Sequence, residues 1–91
     1  MKTVVIQIGN SDDRLTQREW YNYVHEISEI MTWYERHFVG FSAPDSPYQN
    51  AAWVINVRDD EIDDIVSILE SIRVKYNQDS VAVTIGDTRF V

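Results

Sequence analysis

Four aspartates and a set of side-chain amides are the groups in this chain with the clearest capacity for chemistry. Asp12 and Asp13 follow Gly9-Asn10-Ser11, Asp45 sits between Pro44 and Ser46, and Asp79 lies within Asn77-Gln78-Asp79-Ser80. Clustered carboxylate oxygens suit Mg²⁺ or Ca²⁺. The spacing matches no calcium loop, so no metal ligand is assigned. A carboxylate can also serve as a general base. Asp12 or Asp79 would fill that role, with Asn50 orienting a substrate. The amides of Asn10, Gln49, Asn50 and Gln78 offer donor and acceptor patterns suited to a nucleotide or modified base, with Tyr48 available for stacking.

Other constellations are thin. His25-Glu26-Ile27-Ser28-Glu29 lacks the second histidine of a zinc helix, which leaves His25 and Glu29 as a surface pair at helical spacing. His37 falls beside Arg36, at the opposite end from the aspartates, so no His–Ser–Asp geometry follows. There is neither a glycine-rich dinucleotide fingerprint nor a P-loop. Cysteine is absent, which excludes disulfides, thiolate zinc sites and cysteine nucleophiles and fits a reducing cytoplasm. The sequence therefore nominates no catalytic residue and no cofactor.

The elements that must position these groups are legible from periodicity. Residues 3–8 alternate, with Val4, Ile6 and Ile8 on one face, as in a half-buried strand. Gly9 to Asp13 then carries turn chemistry. Thr16-Gln17-Arg18-Glu19 is a capping box, and Leu15 with Trp20 can staple the helix start. Trp20, Tyr23, Val24, Ile27, Ile30, Met31 and Tyr34 form a core-facing helical stripe. Tyr21, His25, Ser28 and Thr32 form a second stripe that points elsewhere and reads as a contact surface.

Residues 37–41 read as a short strand, and residues 52–58 as another with Trp53, Ile55 and Val57 inward. Asp59 or Asp60 is the expected cap of a second helix, whose buried stripe is Ile62, Ile65, Val66, Leu69, Ile72 and Tyr76. Acids crowd its start while Arg73 and Lys75 lie at its end, which complements the helix dipole. Val81, Val83 and Ile85 mark the last main strand. Gly86-Asp87 reads as a turn into a short extra strand over residues 88–91.

The order βαββαβ predicts a single ferredoxin-like domain over residues 1–91: an α+β sandwich with two helices on one face of a four-stranded antiparallel sheet. Right-handed crossovers place the third strand between the first and second, and the first between the third and fourth. Three polar loops then emerge at one edge. They gather Asn10, Ser11, Asp12, Asp13, Asp45, Ser46, Tyr48, Gln49, Asn50, Gln78 and Asp79 as the expected ligand- or partner-binding residues. Phe41 and Trp53 are expected to anchor the central loop to the sheet, and Pro44 and Pro47 to stiffen it.

The net charge of −7 and the scatter of eight basic residues argue against direct contact with nucleic acid or an anionic membrane. The N-terminal Thr3-Val4-Val5-Ile6 run, broken by Gln7, is too short for a signal-peptide core or a membrane span. The opposite sheet face lacks an aromatic trio, so RNA stacking is not expected there, and pairing with a second copy through that face or a strand edge is.

Gln7-Ile8-Gly9-Asn10-Ser11-Asp12-Asp13, Leu15-Thr16-Gln17 with Glu19-Trp20, Ser46-Pro47 with Gln49-Asn50-Ala51 and Trp53, and Gln78-Asp79-Ser80 together resemble a group of short, functionally uncharacterised bacterial proteins, some carried on phages or plasmids. The resemblance spans most of the chain. It implies a cytoplasmic setting and mobile-element company, and supplies no activity.

The resulting expectation is a small acidic, non-enzymatic protein that binds another protein, a basic one, by occupying its nucleic-acid groove as small counter-defence inhibitors do. The alternatives are a nucleotide-binding module using the polar edge, a small enzyme with an edge carboxylate, and a homodimeric structural subunit.

Overall fold

A computed structural model describes residues 1–43 and 45–91, so the stiffening expected from Pro44 lies outside the described residues. Strand β1 (Lys2–Gly9) leads through a 3₁₀ turn (Ser11–Asp13) into helix α1 (Gln17–Met31), and β2 (Glu35–Phe41) closes the first half. Strand β3 (Asn50–Val57), a second 3₁₀ turn (Asp59–Glu61), helix α2 (Ile62–Lys75) and strand β4 (Ala82–Asp87) form the second. The four strands make one antiparallel sheet in the order β2-β3-β1-β4, the arrangement expected from right-handed crossovers.

Alternation decides which side chains enter the core. Val4, Ile6 and Ile8 of β1 lie on the same face as Ala51, Trp53, Ile55 and Val57 of β3, in a register that sets Val4 opposite Ile55 and Ile6 opposite Trp53. Tyr23, Ile27 and Met31 descend from α1, and Ile65, Leu69 and Ile72 from α2. Trp53 is fully enclosed, and its indole N–H donates to Ser28 Oγ at 3.2 Å, so the core's largest side chain leaves no buried donor unpaired.

The start of α1 follows the sequence pattern. Thr16 Oγ1 accepts from the Glu19 backbone N–H at 3.2 Å, and the Glu19 carboxylate accepts from the Thr16 N–H at 2.9 Å. The Thr16 backbone N–H, and after it the Thr16 hydroxyl, hold the Glu19 carboxyl below the usual carboxylate range. The start of α2 differs from expectation. Neither Asp59 nor Asp60 caps it; the chain makes a 3₁₀ turn first, and Glu61 reaches back to accept from the Arg58 N–H at 2.9 Å.

The helices are tied by aromatic and polar contacts. The Tyr23 and Tyr76 rings stack at 4.9 Å, and Trp20 meets Tyr23 edge-on at 6.1 Å. Tyr76 Oη donates to Glu26 at 2.7 Å, and Lys75 Nζ donates to the same carboxylate at 3.0 and 3.1 Å. Burial alone would raise the Glu26 pKa; the two donors outweigh it and lower it. Burial, reinforced by the Glu26 bond, pushes the Tyr76 hydroxyl up to about 12.

The C-terminal turn expected at Gly86-Asp87 does not form. Both residues stay in β4, opposite Thr3 and Lys2 of β1, and Lys2 pairs with the Asp87 carboxylate. A tight hairpin turn needs positive φ, and no glycine adopts it here. Residues 88–91 form no strand. The Thr88 hydroxyl instead meets that of Thr3 beside Asn56, which covers Asn56 on the sheet face away from the helices and leaves its side-chain N–H₂ buried without a partner.

Candidate functional site

The three polar loops meet at one edge of the sheet, because β1 ends, β3 begins and α2 ends on the same side. Asn10 makes the first join. Its Oδ1 accepts from the Leu15 N–H at 2.9 Å, and its Nδ2 donates to the Leu15 carbonyl at 3.0 Å and to Gln49 Oε1 at 2.9 Å. The Asn10 backbone N–H adds a bond to the Gln49 carbonyl at 3.3 Å. Gln49 in turn donates to Gln17 Oε1 at 2.9 Å, which links the central loop to the first turn of α1.

Gln78 makes the second join and is only 3% exposed. Its Oε1 accepts from the Ser11 N–H at 2.7 Å, and its Nε2 donates to the Tyr76 carbonyl at 3.1 Å. Ser11 Oγ accepts from the Asp79 N–H at 3.3 Å. Asp12 and Asp13 take up left-handed backbone, with φ of 52° and 53°, and Asn77 does so at 52°. Asp and Asn tolerate this region better than most residues, which accounts for their presence at these turns.

Arg14, which residue typing alone passed over, is the third join. Its guanidinium donates to the Asn77 carbonyl at 3.0 Å, to Asp79 Oδ1 at 2.7 Å and to Asp12 Oδ2 at 3.3 Å. The two carboxylates considered as general bases thus face an arginine of the same edge. The signal in the sequence was a lone cation directly after Asp12-Asp13. Asp13 and Asp45 are exposed and form no ion pair among the described residues. No group of three or more His, Asp or Glu residues among those described is placed to hold a metal ion.

The central loop is organised from within. Ser42 N–H donates to the Asn50 carbonyl at 2.9 Å, and Asn50 N–H returns a bond to Ser42 Oγ at 3.1 Å. Ser46 Oγ donates to the Tyr48 carbonyl at 2.8 Å, and Asn50 Nδ2 donates to the same oxygen at 3.2 Å. The Tyr48 ring stands 74% exposed, the freest aromatic of the edge. Of the amides nominated to read a ligand, Asn10, Gln49 and Gln78 are engaged in joining loops and Asn50 in bracing its own, and the surface they leave is Tyr48 with the outward carboxylates.

Phe41 departs from its expected role. Trp53 anchors its end of the loop in the core, but Phe41 is 62% exposed. Its side of β2 faces the helix layer opposite Ala51 of β3, yet α1 leaves it open. Phe41, Gln17, Trp20, Tyr21 and Val24 line a shallow groove between β2 and α1. Tyr21 stacks on His25 at 5.8 Å there, and His25 Nε2 lies 3.2 Å from Glu29, a surface pair.

The fold defines a class: an α+β sandwich of ferredoxin-like topology, with a polar three-loop edge and no helix among the described residues long and apolar enough to cross a membrane. No protein-family profile matches the chain, and no curated protein sequence matches it. Among solved structures it resembles a de novo designed protein, Foldit4, with a TM-score of 0.56 and 15% identity over 98% of this chain and 100% of that one. At that identity the likeness speaks to the fold.

Proposed function

We propose that this chain is a non-enzymatic binding protein of the cytoplasm that acts by contact with a basic protein, in the manner of a small acidic inhibitor seated in a nucleic-acid groove. The supporting observation is the distribution of charge. Lys2, Arg14, Arg58, Arg73 and Lys75 each face a carboxylate within the chain. At the start of α2, Asp59, Asp60, Glu61, Asp63 and Asp64 crowd two turns against the single cation Arg58, which pairs with Asp60 and Glu61 and leaves Asp59, Asp63 and Asp64 without a cationic partner among the described residues. A helix dipole is complemented within its first turn, at about 0.3–1 kcal/mol per charge. Five acids exceed that need and leave an outward negative face that steers a positively charged groove toward it.

The test is titration of the purified chain into basic nucleases at low salt, following cleavage and co-elution. Inhibition that fades as salt rises, and that weakens when Asp59, Asp63 and Asp64 are changed to Asn, is the expected result. Unchanged cleavage and elution at low salt would remove the support for this reading.

A further inference from the structure

Two helices do not fully cover four strands: Ile85 of β4 is 45% exposed on the helix-side face, and the more open edge strand, with Phe41 at 62%, is β2. It hydrogen-bonds to β3 on one side and has an open edge on the other. Val39 and Phe41 lie on its helix-side face, beside Trp20, Tyr21 and Val24 of α1. Phe38 lies on its other face, opposite Val54 of β3. Phe38, Phe41 and Tyr21 are 57%, 62% and 65% exposed. Edge strands are normally guarded by inward charges, proline or bulges. In β2 the charges Glu35 and Arg36 and the bulge all fall in the first half, and residues 38–41 carry no charge. The opposite edge differs: β4 ends in Asp87, paired with Lys2, and α2 packs beside its Val83.

We propose that β2 pairs antiparallel with β2 of a second copy of this chain, joining two sheets across a two-fold axis and covering Val39, Phe41 and Tyr21 of both. Charge favours a second copy over an unrelated strand. Arg36 near the start of β2 and Asp45 just beyond its end have no ion-pair partner among the described residues. Antiparallel pairing carries the Arg36 of each copy toward the Asp45 of the other, twice over.

Area supports the same occupant. An aromatic side chain offers about 150–250 Å². Phe41 and Tyr21 on the helix side and Phe38 on the other face, which edge pairing extends as well, with Val39 and the strand edge, approach the roughly 600 Å² per partner at which specific interfaces begin. The result is a weak dimer with a self-complementary contact. It uses β2 and not the acids at the start of α2, so it stands apart from the reading of the α2 face above.

Sedimentation of the purified chain across about 1–200 μM, the range of weak self-association, is the test. The mass should rise to that of two chains. Phe41→Glu should abolish the rise. Arg36→Asp and Asp45→Arg should each weaken pairing about tenfold, equivalent to about 1.4 kcal/mol, and the double variant should restore it. All three side chains are exposed, so circular dichroism should show the native fold in each variant; if Phe41→Glu alone misfolds, the Arg36 and Asp45 exchange decides. A monomer at every concentration, a dimer indifferent to Phe41→Glu, or charge reversals that do not rescue one another would each overturn pairing through β2.

Discussion

The polar loop edge and the β2–α1 margin lie at neighbouring corners of one molecule and use their side chains in opposite ways. The edge has the residue types of a binding site, yet Asn10, Gln49 and Gln78 point their amides at one another's loops. The margin looks ordinary in sequence, yet leaves Phe41 and Tyr21 facing water. Polar residues at the edge hold the fold together, while apolar residues at the margin stay unused by it. Residue type alone is thus a poor guide to which surface is free; the deciding quantity is whether each group already has a partner.

That contrast can be broken by substitution. The largest effect is expected at Gln78. Its replacement by Ala strips partners from the Ser11 N–H and the Tyr76 carbonyl and should cost about 1–3 kcal/mol in urea unfolding. A loss below about 0.5 kcal/mol, the level of an ordinary surface change, would mean that the amide is no clamp.

Tyr23 sharpens the same point with the opposite sign. Its hydroxyl is buried without a hydrogen-bond partner, and burial pushes its pKa up to about 12. Tyr23→Phe should stabilise the fold by about 1 kcal/mol through removal of that unpaired group. A destabilised variant in thermal melts would show that the hydroxyl is satisfied in solution.

Glu26 should give a smaller, pH-dependent effect. Its folded pKa is lowered, so its contribution is present above the unfolded value of about 4.3 and lost as pH falls through the folded value. Stability measured against pH should decline across the acid side of that window, and Glu26→Gln should flatten the decline. An unchanged slope would show that the tie between Lys75, Tyr76 and Glu26 does not couple the helices.

The smallest effects belong to the margin and to the loop tip. Phe41→Ser and Tyr48→Ala should each shift the unfolding free energy at dilute protein by less than about 0.5 kcal/mol. A loss well above that for Phe41 would place it in the monomer's core after all, and erase the contrast.

Much of the fold is legible in the sequence. The Thr16–Glu19 box, the alternation of β1 and β3 and the two helical stripes are local patterns, except that Val66, expected in the buried stripe of α2, is 40% exposed, and right-handed crossovers convert their order into the sheet. Three features were not readable, each for a physical reason. Alternation assigns Phe41 to the helix-side face but cannot say that α1 stops short of β2. Gly86-Asp87 has turn composition, but ladder pairing with β1 and the Lys2–Asp87 ion pair keep it extended. Amide-rich loops announce polarity without revealing that the amides are spent on one another.

Gly40 on β2 carries a further consequence. The Phe38 ring lies so close over it that a Cβ at residue 40 would fall 2.6 Å from the ring's outermost carbon. Any larger residue there must swing the ring outward, which an exposed side chain can do. Positions 38 and 40 are therefore coupled in what substitutions they tolerate: drift toward bulk at one should travel with shrinkage at the other. In a randomised library of this strand, the pair should be recovered as linked choices rather than as two independent columns.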